Sequence, residues 1–186
     1  IGVEIDPAMA EAARLGAVAN GFGPGYETIE ADLRDRSWRA SMPKVDLVVS
    51  NPPWRRTGSG RVSPIGARAG ARHDATCTME DLLEASASLL RTGARLCIVL
   101  PPDRMEEFVV AASERRMHLT RSRHVHPLPD RPARMVLLEA RLGVQPGAAV
   151  VQPPIFVHSS PGVYSALLEE ILAGGFRLSA GTCPRP

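Results

Sequence analysis

The chain has 186 residues, of which 44% are hydrophobic and 23% charged, enough apolar material for one folded domain with a core. A formal net charge of +2 excludes a strongly basic nucleic-acid coat, and because Lys44 is the single lysine, arginine usage reflects genome base composition as readily as phosphate binding. Cys77, Cys97 and Cys183 are odd in number and never form a C-x-x-C pair, which argues against a disulfide framework or a zinc site and for a reducing, cytosolic compartment; no apolar run approaches the ~18 residues of a membrane span.

Ile1 to Ile5 reads as a strand, and Asp6-Pro7 opens a helix with a capping carboxylate and a proline at its first position. That helix is expected to run to about Ala19, where Asn20-Gly21 stops it. Because the chain opens within a strand and without a methionine, an N-terminally incomplete domain is expected. Tyr26 to Glu30 is a second strand leaving through Ala31-Asp32-Leu33, and Val45 to Ser50 is a third. Residues 55–77 show no periodicity and form a long Arg-, Gly- and Ser-rich loop. Thr78-Met79-Glu80-Asp81 has the form of a capping box before a helix carrying Leu82, Leu83, Leu89 and Leu90.

Arg95 to Leu100 is the next strand, and a helix starts at Asp103 to Glu106 with Phe108, Val109 and Met117 on its buried side. His118 to Val125 and Met135 to Leu142 form an antiparallel pair, followed by Pro153 to His158 and a helix from about Tyr164 to Leu172. Alternating strands and helices of this kind imply a single α/β domain over 1–186, mostly parallel, with a late antiparallel hairpin.

The chemistry concentrates at Asn51-Pro52-Pro53-Trp54, directly after an apolar strand. The Asn51 carboxamide oxygen and the Pro52 carbonyl are two acceptors that together can take both hydrogens of an exocyclic amine, while Trp54 can stack on the plane that carries it. Two acceptors on the hydrogens favour a pyramidal nitrogen whose lone pair is free to attack. The same residues also suit an ordinary turn. Ligands of open α/β sheets bind beyond the carboxyl ends of strands, and Glu4, Asp32 and Asn51 each stand at such an end. Glu4 suits a ribose diol, Ile5 an adenine face and Asp32 an adenine amine, although Asp32 alone is equally an ordinary loop carboxylate.

G-V-E-I-D-P, A-D-L, D-L-V-V-S-N-P-P-W, A-R-H-D at Ala71 to Asp74, and P-I-F-V-H followed by G-V-Y-S together resemble the S-adenosylmethionine-dependent tRNA adenine-N6 methyltransferases that modify an anticodon-loop adenine. The resemblance spans nearly the whole chain and implies a Rossmann-like class I sheet of seven strands. It implies cofactor contacts from Glu4, Ile5, Asp32, Leu33 and Asn51, and capture of the base by Asn51, Pro52, Pro53 and Trp54. The glycine-rich loop and strand that precede G-V-E-I-D-P in that family are not in this sequence, so S-adenosyl-L-methionine binding by this length of chain is an open expectation.

Arg55, Arg56, Arg61, Arg68 and Arg72 follow Trp54 with no acidic residue from Asn51 through His73, a stretch that suits an RNA backbone or a solvated loop equally. His73 is expected to order that loop. His118, His124, His126 and His158 lack ligand spacing, and Trp38 reads as a packing residue. Two rival readings remain at this level: methylation of a glutamine side-chain amide in a protein, and a non-catalytic RNA- or nucleotide-binding remnant. Removing Arg55, Arg56 and Arg61 separates the first rival, because only RNA binding depends on them.

Overall fold

The computed structural model describes residues 1–52 and 77–174. Pro53, Trp54, Arg55, Arg56, Arg61, Arg68, Arg72, His73 and Cys183 therefore lie outside the described residues.

The chain begins with β1 (Gly2–Glu4), α1 (Pro7–Ala19) and β2 (Thr28–Glu30). Asp6 caps α1 by accepting from the Ala8 and Met9 amides, and Asn20 closes it before Gly21, whose φ of 76° lies in the left-handed region that glycine tolerates. β1 and β2 pair in parallel, Glu4 beside Glu30, and the Ala31 amide continues the pairing by donating to the Glu4 carbonyl at 3.0 Å.

A short helix that the sequence pattern does not announce follows, α2 (Arg36–Ser41), capped by Asp35. Next come β3 (Val45–Ser50), α3 (Met79–Leu89), β4 (Leu90–Leu100), α4 (Met105–Glu114), β5 (Met117–His126) and β6 (Met135–Leu142). β7 (Val150–Phe156), a small hairpin of β8 (His158–Ser160) and β9 (Val163–Tyr164), and α5 (Ala166–Leu172) complete the described part.

The capping box at Thr78 forms as expected, with Asp81 N donating to Thr78 Oγ1 and Thr78 N to the Asp81 carboxylate. Two expectations for α4 fail. Phe108 is fully buried, but Val109 is 37% exposed and Met117 belongs to β5, because α4 ends at Glu114 and its core stripe is Phe108, Ala111 and Ala112.

The resemblance implies one seven-stranded sheet; among the described residues the strands divide into β1-β2, a five-stranded sheet ordered β3-β4-β6-β5-β7, and β8-β9. The β1-β2, β3-β4 and β5-β7 pairs are parallel, and β6 runs antiparallel to both neighbours as the second arm of the expected hairpin. Along β4, Leu96, Ile98 and Leu100 are buried every second residue, the alternation of a strand with one face on a core. They meet Val136, Leu138 and Ala140 of β6, Met117 of β5, Leu82 and Leu83 of α3, and Phe108 of α4 in one cluster. Leu33 packs onto its margin, which ties the exit of β2 to the larger sheet.

Candidate active site

Pairing fixes which strand ends lie together. Ser50 of β3 stands beside Ile98 of β4, Leu100 beside Val136 at the start of β6, Met135 beside Val125 of β5, and His126 beside Phe156 of β7. Asn51, Pro101, His126 and Phe156 therefore share one edge of the five-stranded sheet. Asn51 is exposed on that edge and Pro52 is half-buried.

The β1 and β2 exits reach the same region. α3 adjoins the first residue of β4 at its far end, so Thr78 at its start faces the strand exits. Arg34 lies within electrostatic reach of Asp81 and Cys77 there, and it holds Asp32. Sequence order, two sheets and one helix thus bring Glu4, Asp32 and Asn51 toward a common side.

Each carboxylate has a defined local state. Glu4 Oε1 accepts from the Ile5 and Asp6 amides at 2.8 and 3.0 Å, while among the described residues its other oxygen has no partner. That arrangement orients the carboxylate and keeps acceptor capacity for hydroxyl donors. Asp32 is more heavily used. Its Oδ1 accepts from Arg34 N at 2.8 Å and Arg34 Nε at 3.0 Å, and its Oδ2 from Arg34 Nε at 3.0 Å and Nη2 at 2.6 Å. The guanidinium bond, aided by the backbone bond, holds the Asp32 carboxyl below its ordinary value of 3.8. The Leu33 side chain packs on the core margin at the exit of β2.

Two supporting residues have roles that the sequence does not reveal. Arg34 is the partner of Asp32, and D-x-R spacing is too common to signal it. Trp38, expected only to pack, donates Nε1–H to the Asp32 carbonyl at 2.8 Å from α2 and so fixes the loop from behind. Asp35 N reaches the same carbonyl at 3.1 Å. Cys77 and Cys97 are free thiols that burial pushes above the usual thiol range, a poor setting for a nucleophile.

An open cavity of about 540 Å³ lies elsewhere, lined by Arg36, Arg39, Met42, Lys44, Glu84 and Ser88. It sits by the start of β3, holds none of the expected site residues, and its charges bind one another. Arg36 pairs with Glu84 at 2.6 Å, the buried Arg39 bonds Asp35 O at 3.2 Å and Ser88 Oγ at 3.3 Å, and Lys44 donates to Ser88 O. It is the joint between α2 and α3.

Sequence comparison decides the family. A tRNA1(Val) (adenine(37)-N6)-methyltransferase of Porphyromonas gingivalis is 31% identical over 189 residues, covering 96% of this chain and 72% of that protein. The chain belongs to the tRNA1(Val) (adenine(37)-N6)-methyltransferase family. A relative of the same name from Phocaeicola vulgatus is 31% identical over 171 residues, covering 92% of this chain and 68% of its own. No protein-family model matches the chain.

Among solved structures, a predicted O-methyltransferase from Agrobacterium tumefaciens superposes with a TM-score of 0.71 at 20% identity, covering 93% of this chain and 76% of its own. A putative class I S-adenosylmethionine-dependent methyltransferase from Listeria monocytogenes gives 0.54 at 16% identity, over 94% of this chain and 55% of its own. Those likenesses show the family's fold, the class I methyltransferase α/β sheet. No helix among the described residues is long and apolar enough to cross a membrane.

Proposed function

We propose that this chain transfers a methyl group from S-adenosyl-L-methionine to the exocyclic N6 of an adenine in tRNA. The observation that carries the reading is Asn51-Pro52 at the exit of β3 in a member of the tRNA adenine-N6 methyltransferase family. When bound, the cofactor supplies a methyl group on a sulfonium, an electrophile that needs no activation by the protein.

Everything else falls to the chain's own residues. Glu4, oriented by the Ile5 and Asp6 amides, takes the ribose hydroxyls through its unengaged oxygen. Ile5 lies against the adenine ring of the cofactor, Leu33 contributes backbone, and Asp32 accepts from that ring's amine in place of one of the bonds it takes from the Arg34 guanidinium. Oriented carboxylates at adjacent parallel strand ends have the donor-acceptor chemistry of a nucleoside site. The Asn51 carboxamide oxygen and the Pro52 carbonyl accept the two hydrogens of the target amine and hold its lone pair toward the methyl; Pro53 keeps the turn rigid and Trp54 stacks on the base. A base held in a tRNA loop is unstacked to reach them. Arg55, Arg56, Arg61, Arg72 and His73 follow in sequence and contact the RNA backbone. A cytoplasmic setting accords with a tRNA substrate.

The test is incorporation of labelled methyl from S-adenosyl-L-methionine into unmodified tRNA, with mapping of the modified nucleotide. Methyl-adenine at N6 is the expected product. A protein that binds cofactor but leaves every tRNA unlabelled would overturn the reading.

A further inference from the structure

The segment P-I-F-V-H…G-V-Y-S has no role in the reaction described above, yet the fold delivers it to the same edge as Asn51. Val157 N donates to the His126 carbonyl at 2.8 Å and His158 N to the Pro127 carbonyl at 3.1 Å, extending the β5-β7 pairing past the sheet. The chain then turns at Pro161-Gly162, where a φ of 79° at Gly162 is the conformation a tight turn demands of glycine, and returns as β9. The hairpin sets His158 opposite Tyr164, and their rings stack with centroids 5.1 Å apart and planes 20° from parallel.

Beside them the His126 ring leans on Phe156 at 5.4 Å and 50°, its Nδ1 held 2.8 Å from the Arg131 carbonyl. Ser165 locks the outer end: its hydroxyl donates to the Phe156 carbonyl at 2.6 Å while accepting from Leu168 N, the first bond of α5. The rings are not sealed into a core. Tyr164 is 49% exposed and its neighbour Val163 53%. Arg131 and Arg134, on the connection from β5 to β6, are exposed on the same edge.

We infer that the His158–Tyr164 stack, with His126 and Phe156 beside it and Arg131 and Arg134 at its flank, is a stacking platform for an unpaired nucleotide of the RNA next to the one being methylated. Aromatic rings offer a π-face to any base, and adjacent guanidinium groups neutralise phosphate, which is how proteins hold single-stranded RNA. Three strand spacings separate β3 from β5 and four separate β3 from β7, so His126 and Phe156 stand about 14–19 Å along the sheet from the exit of β3, and the His158–Tyr164 hairpin continues the chain from Phe156. The pair steadies its own two-stranded hairpin, yet about half of Tyr164 is left open to solvent at the ligand edge. The inference rests on the RNA substrate proposed above.

Full-length protein, Tyr164→Ala, Tyr164→Phe and His158→Ala are compared for binding to an unmodified anticodon stem-loop RNA, with cofactor affinity measured in parallel by calorimetry as a check on folding. Tyr164→Ala is expected to raise the RNA Kd and the KM for RNA roughly 5- to 100-fold, as loss of one stacked base predicts. Cofactor affinity and the slope of log K against log salt stay unchanged, because no charge is lost. Tyr164→Phe, which keeps the ring, recovers most of the affinity. Wild-type RNA affinity in both alanine variants would overturn the platform alone. Wild-type protein that takes cofactor but neither binds nor methylates the RNA would overturn the proposed reaction together with it.

Discussion

At the scale of single residues, Asp32 and Arg34 make a measurable pair. The Asp32 carboxyl is held below 3.8 by the Arg34 guanidinium, so its folded value lies under its unfolded one. The sign follows: the contribution is present above the unfolded value and is lost as pH falls through the folded one, a window lying in acid below 3.8. An NMR titration should place the Asp32 midpoint below 3.8 and move it upward in Arg34→Ala, with little change in overall stability because the pair is well exposed. For the proposed reaction, Asn51→Ala is expected to lower kcat about 100-fold or more and to weaken cofactor binding less than Glu4→Ala does, since its carboxamide is the acceptor proposed to act at the transition state. Glu4→Ala should instead weaken cofactor binding roughly 10- to 100-fold in calorimetry, the loss of hydrogen bonds to a charged group. Equal effects of the two substitutions on cofactor affinity would contradict the division of roles.

At the scale of elements, the helix ends are set by local chemistry and can be tested locally. Thr78 begins α3 with both bonds of its capping box, and Thr78→Ala should cost about 1 kcal/mol in urea denaturation. Between α4 and β5 the chain passes through Arg116 at φ 58°, a left-handed conformation in which a side chain is strained. Arg116→Gly should therefore raise stability by about 0.5–1 kcal/mol in the same measurement. Helix ends of this kind are legible in the sequence: Asp6-Pro7, Asn20-Gly21 and T-M-E-D act within one turn of chain, so α1 and α3 start where their residues say. α2 is not legible, because six residues carry no periodicity. The boundary of α4 is hidden for a related reason, since Met117 fits a helical stripe as well as it fits the first buried position of β5.

At the scale of the whole molecule, the core between the larger sheet and α3 and α4 holds the strand exits in register. Phe108 is fully buried at its centre, and Phe108→Ala is expected to destabilise the protein by about 3–5 kcal/mol, lowering the denaturation midpoint without altering the site's residues. The amino-acid sequence determined by itself the α/β class, the position of Asn51-Pro52 at a strand exit, and the resemblance from which adenine N6 follows. All of these are local patterns, or motifs read in chain order. Tertiary structure alone decided that β6 enters between β4 and β5, that Arg34 occupies Asp32 while Trp38 braces it, and that His126, Phe156, His158 and Tyr164 share an edge with Asn51. The physical reason is that strand order and side-chain partnership join residues far apart in the chain, such as Ser50 with Ile98 and Arg39 with Ser88, through hydrogen-bond ladders and packing whose partners no single stretch of chain contains.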